Sequence, residues 1–125
     1  MIAFAQEHGH VETLFGRRIH VPEIRARGPH AAAAQRQAIN APIQGSAADI
    51  IRRAMIRVPA AIDGLPAKML LQVHDELLFE VEAGAVDRTI AAVRAVMEEA
   101  AMPAVELAVP LVVDAGAGAS WAEAH

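Results

Sequence analysis

The chain contains no cysteine, which excludes a disulfide framework, thiolate catalysis and a cysteine-ligated metal. Aromatic residues make up only 3% and tyrosine is missing, so a base-stacking surface built from several rings is not expected. No stretch approaches the roughly 20 apolar residues that a membrane helix needs. Met1-Ile-Ala-Phe-Ala lacks the basic start and long apolar run of a signal peptide. A soluble, cytoplasmic protein with no membrane partner is therefore expected. No internal repeat and no second domain are visible.

What is present fits a single globular domain. The 125 residues are 54% apolar and 21% charged, enough to bury a core without staples. Alanine is the commonest residue, which favours helices. The net charge of −4 is unevenly spread. Met1 to Val58 holds 8 Arg against 4 Asp and Glu, and Pro59 to His125 holds 3 Lys and Arg against 11 Asp and Glu. A basic half suits a polyanion and an acidic half suits cations. An ordinary, uneven polar surface is the competing reading.

Periodicity and turn chemistry place the elements. Ile2 to His8 reads as a helix fragment ended by Gly9. Val11-Glu-Thr-Leu and Arg18-Ile-His-Val read as short strands around a Phe15-Gly-Arg turn, with Gly16 free to take positive φ. Pro29 to Asn40 predicts a helix that Pro42 interrupts. A second helix is expected from Ser46, capped by Ser46-Ala-Ala-Asp49, with Ala47, Ile50, Ile51, Ala54 and Val58 on one apolar face and Pro59 as its end. Met69 to Val73 and Glu76 to Val81 predict two strands joined by a two-residue turn, His74-Asp75. Gly84 precedes a helix with Val86, Ile90, Val93, Met97 and Ala100 as its buried stripe, stopped by Pro103. Leu107 to Val113 predicts a last strand, at a sheet edge or bulge because of Pro110. Trp121 follows as a packing anchor.

The hairpin turn is the most informative place. His-Asp is a poor choice where turns favour glycine or asparagine, and local rules fail most often at functional sites. Asp75 and Glu76 are neighbours, and adjacent carboxylates repel unless a cation sits beside them. Hard oxygen donors of this kind suit Mg²⁺ or Mn²⁺. An exposed polar hairpin tip explains the same letters. Arg36, Asn40 and Gln44 recur every four residues, and Arg, Asn and Gln read phosphates and groove edges; the alignment of Gln44 depends on the break at Pro42. A solvated helix face is the alternative. Arg17 and Arg18 on a glycine turn suit a phosphate, or simple solubility. Arg52, Arg53 and Arg57 lie on the polar side of their helix, with Asp49 and Arg53 as an i,i+4 pair. His8, His10, His20 and His30 have no metal-ligand spacing and read as ordinary polar residues.

Three segments in order carry a resemblance. Val11-Glu-Thr-Leu-Phe-Gly-Arg-Arg, Ile39-Asn-Ala-Pro-Ile-Gln-Gly-Ser-Ala-Ala-Asp49-Ile-Ile and Leu71-Gln-Val-His-Asp-Glu-Leu77 together resemble family A DNA polymerases of the bacterial polymerase I type. The tail from Val109-Pro-Leu to Trp121 is similar too, so the resemblance covers nearly the whole chain. It implies an α+β fold: a partial palm whose antiparallel sheet, with an acidic hairpin turn, packs against helices. Residues 1–28 would be the end of a fingers helix and a short hairpin, and 29–125 the DNA-contacting helices and palm.

The resemblance also implies roles. The reaction would be two-metal transfer of a nucleotide from a dNTP to a primer 3′-hydroxyl, in replication and repair. Asp75 would bind Mg²⁺ or Mn²⁺, with Glu76 as its acidic neighbour. His74 and Gln72 would lie near the primer terminus. Arg36, Asn40 and Gln44 would touch DNA largely on the minor-groove side, and Arg17 and Arg18 would sit on a hairpin turn in the same domain. Partners would be primer–template DNA, dNTP and, for a split protein, an upstream polymerase segment, in the bacterial cytoplasm at the nucleoid. The family's first metal-binding aspartate and its nucleotide-binding helix precede these segments. The isolated chain is accordingly expected to be inactive. A non-catalytic DNA-binding module, or a remnant, is the alternative.

Overall fold

The computed structural model describes residues 2–124, and the chain forms two compact units, Met1–Asp49 and Ile50–His125. In the first unit, helix α1 (Ile2–His8) ends at Gly9, whose φ of +76° is the left-handed conformation that closes a helix without a Cβ clash. Strands β1 (His10–Glu12) and β2 (Arg18–His20) pair antiparallel, with Val11 opposite Ile19. Gly16, at φ +84°, makes the turn between them. Val11, Val21 and Ile24 meet Ala5 and the small face of helix α2 (Pro29–Ala61), Ala34 and Ala38, in one buried cluster.

Helix α2 corrects the expectation of two helices. It runs 33 residues without stopping at Pro42 or Pro59. Proline removes one ladder donor and crowds the preceding turn, but tertiary contacts override that local cost. Ser46 is not a helix cap. Its hydroxyl donates to the Pro42 carbonyl one turn back and accepts the Leu14 N–H at 2.9 Å, an arrangement of the helix interior. Asp49 likewise does not cap. It receives the Arg17 guanidinium Nε at 2.8 Å. Ala47, expected on the buried face, is exposed, whereas Ile51, Ala54 and Val58 are buried.

The second unit is built on the hairpin of β3 (Ala67–Val73) and β4 (Glu76–Val81). The two strands pair antiparallel, with an irregularity between Met69 and Leu71. Helix α3 (Val86–Glu98) brings Val93, Val96 and Met97 into a cluster with Val58, Ile62, Met69, Leu77 and Phe79. The helix therefore packs on the hairpin as expected. Its fully buried positions are Thr89 and Val93, while Val86, Ile90 and Met97 are half-buried, so the inward stripe is turned slightly from the predicted one. Arg53 and Arg57 are not merely a solvated face. Their guanidiniums donate to the carbonyls of Ala100 (2.8 Å), Glu99 (3.1 Å) and Met102 (2.6 Å), cations where a helix end leaves its carbonyls without partners.

The last predicted strand does not form. Residues 107–113 are irregular. Pro110 offers no ladder donor, and the segment is held instead by the Val113 N–H on the Glu98 carboxylate at 3.1 Å. Trp121 opens the short helix α4 (Trp121–Ala124) and is 44% exposed, so it is a partial anchor at most.

Candidate active site and nucleic-acid interface

The acidic turn forms where the sequence puts it. Val73 pairs with Glu76, leaving His74 and Asp75 as the two turn residues. His74 takes φ +54°, a position that glycine ordinarily fills at the start of such turns. The Gln72 side-chain amide donates to the His74 carbonyl and braces the turn from β3. His74, Asp75 and Glu76 are all exposed. Left-handed backbone costs about 1–2 kcal/mol for a residue with a Cβ. His74→Gly should therefore raise stability by about 0.5–1 kcal/mol, after the extra unfolded-state freedom of glycine is subtracted. Chemical denaturation of the variant checks this; a loss of stability would show that the imidazole itself holds the turn.

Asp75 and Glu76 supply the hard oxygen donors that Mg²⁺ prefers. Among the described residues no group of three or more His, Asp or Glu is placed to cage a metal.

In the other unit, the continuity of α2 settles a point the letters left open. Arg36, Asn40 and Gln44 lie on one helix with no break between them, and all three are exposed. They extend over about 12 Å of helix at 1.5 Å per residue. Ile39 and Ile43, 46% and 69% exposed, interleave with them on the same side. Their i,i+4 spacing is the sequence signal for that mixed face, which a helix broken at Pro42 would not form.

The two arginines of the first hairpin part company. Arg17 turns to α2, donating to Asp49 and, at 3.4 Å, to the Gly45 carbonyl. Arg18, on β2, is exposed and makes no side-chain hydrogen bond or ion pair among the described residues. The rings of Phe4, His8, His10 and His20 neighbour one another at tilted and edge-on angles, with centroids 4.3 to 6.1 Å apart.

Comparison with known proteins decides the family: the family model described as DNA polymerase family A matches residues 1–123. The chain belongs to that family. It is 57% identical to DNA polymerase I of Rhizobium leguminosarum over 98% of its own length, and 51% identical to that of Pseudomonas aeruginosa over the same share. It spans 13% of each of those relatives. The POL domain of Pol1 from M. smegmatis, solved in complex with DNA primer-template and dNTP, superimposes with a TM-score of 0.88 at 47% identity. That match covers 98% of this chain and 22% of the other. The α+β fold of this family A chain therefore matches part of a polymerase domain. No helix among its described residues is long and apolar enough to cross a membrane.

Proposed function

We propose that this chain is the DNA-contacting and acidic-turn portion of a DNA-directed DNA polymerase, serving template-directed nucleotide transfer to a primer 3′-hydroxyl in replication and repair. The observation that carries the reading is the His74-Asp75 turn, which offers two adjacent carboxylates at an exposed hairpin tip. It occurs in a chain that matches a polymerase domain over 98% of its length.

Asp75 and Glu76 hold the divalent ion in this reading. Mg²⁺ or Mn²⁺ bound there would neutralise charge on the phosphate oxygens. His74 and Gln72 flank the carboxylates and help to place the primer end. Arg36, Asn40 and Gln44 follow the duplex. Their amides suit the minor-groove acceptors that A·T and G·C pairs share, which a sequence-indifferent enzyme requires. Arg36 and Arg18 contribute phosphate contacts. One acidic turn cannot clamp both oxygens of a two-metal displacement. The 125-residue chain alone is therefore not expected to extend primers, and its working partner is the remainder of a polymerase domain.

The test is a fluorescence titration of labelled primer–template with the chain across a salt series, with and without Mg²⁺. Weak binding should fall linearly with salt on logarithmic axes, with a slope of about −0.9 per phosphate neutralised. Mg²⁺ should tighten it, because bare carboxylates repel phosphates. Absent or salt-indifferent binding would favour a remnant.

A further inference from the structure

We infer that the β1–β2 hairpin is a splint across Pro42, and that Arg17 is a positioning residue acting through Asp49 rather than a phosphate contact. This rests on the reading of Arg36, Asn40 and Gln44 as the DNA face. Pro42 falls between Asn40 and Gln44, and it offers no N–H to the Ala38 carbonyl. A helix is weakest where its ladder is interrupted, so the register of Gln44 with Arg36 and Asn40 needs support from outside the helix.

The hairpin reaches α2 on both sides of that point. Before it, Val11 and Val21 share a buried cluster with Ala34 and Ala38, and Ile19 packs against the same cluster. After it, three residues of one helix face receive the turn. Gly45 admits the hairpin at close range: a Cβ there would lie 2.6 Å from Ile19 Cδ1 and 2.9 Å from Thr13 Cγ2. Ser46 is 6% exposed, and its hydroxyl links the Leu14 N–H to the Pro42 carbonyl. Asp49 receives Arg17 Nε at 2.8 Å, with the carboxylate side chain 14% exposed. Thr13 Oγ1 accepts the Phe15 and Arg17 N–H groups and shapes the turn that delivers the guanidinium. Arg17, its side chain 49% exposed, commits Nε to Asp49 and one terminal nitrogen to the Gly45 carbonyl, whereas Arg18 makes no such bond among the described residues.

Hydrogen exchange of the amides at 43–46 in the 125-residue chain tests the splint directly. Arg17→Ala and Asp49→Ala should each speed exchange there by about tenfold, and the double variant should be no faster, because each removes the same link. Adding Pro42→Ala to Arg17→Ala restores a ladder donor and should restore protection. Arg17→Lys keeps the charge but loses the two-pronged geometry, so it should behave like Arg17→Ala.

Titration with primer–template separates position from contact. Arg17→Ala should weaken binding by about tenfold, or ~1.4 kcal/mol, with the salt slope unchanged. It should add nothing in a Gln44→Ala background, and Pro42→Ala should rescue it. A salt slope shallower by about 0.9 with exchange unchanged would make Arg17 a phosphate contact and overturn the inference. Additive or unrescued exchange effects would overturn it as well. If the unaltered chain fails to bind DNA, the polymerase reading fails, and the exchange arm still decides whether the splint exists.

Discussion

Asp75→Ala is expected to lower primer extension by about 10²–10³-fold in a polymerase whose corresponding segment is replaced by these 125 residues. The effect should be on the chemical step and not on folding. Asp75 is exposed at the hairpin tip, outside the cluster of Val58, Ile62 and Val93 that holds the hairpin against α3. In the proposed site, removing a hard donor would take away charge stabilisation where negative charge develops. Without divalent metal, the same variant should bind primer–template slightly more tightly, because a carboxylate that repels phosphates has gone. Glu80→Ala serves as the control. Glu80 is exposed on β4, opposite Lys68 and several residues from the tip, and its loss should leave extension unchanged. Single-turnover extension and circular dichroism of the three proteins decide the matter; equal loss in both variants would mean that the acidic turn has no special part.

The second large effect is expected from Arg36→Ala, Asn40→Ala and Gln44→Ala combined. Three contacts of about 1–1.5 kcal/mol each predict binding weaker by about 10²–10³-fold. Stability should hold or rise, since all three side chains are exposed and alanine is the better helix former. The salt slope should become shallower by about 0.9, the share of one charged group, because Asn40 and Gln44 displace no counterions. Loss confined to the Arg36→Ala single variant would reduce the face to a point charge.

Much of this was legible in the letters, for reasons that can be named. Gly9 announces the end of α1 and Gly16 a positive φ, and both are found. Short apolar runs on either side of His74-Asp75 leave few choices but a hairpin, and the turn falls there. The misreadings share one cause. Pro42, Ser46-Ala-Ala-Asp49 and Pro59 break or cap an isolated helix, whereas here each sits in a helix held by distant residues. Leu14 and Arg17 engage Ser46 and Asp49 from 32 residues away, which no local pattern encodes. Residues 107–113 carry strand propensity, but a strand also needs a neighbour for its N–H groups, and the described neighbour of Val113 is a carboxylate. At the candidate site, residue types pointed to chemistry. What the letters withheld was that a continuous helix aligns Gln44 with Arg36, and that Arg17 pairs with Asp49.

The most direct measurement is primer extension by the unmutated chimera, with these 125 residues in place of the matching segment of Pseudomonas aeruginosa DNA polymerase I, to which they are 51% identical. Extension within about tenfold of the recipient enzyme is predicted, since catalysis of phosphoryl transfer is mainly positioning and charge. A chimera that folds and binds primer–template yet adds no nucleotide would contradict the assignment of Asp75 and its neighbours to the polymerase site.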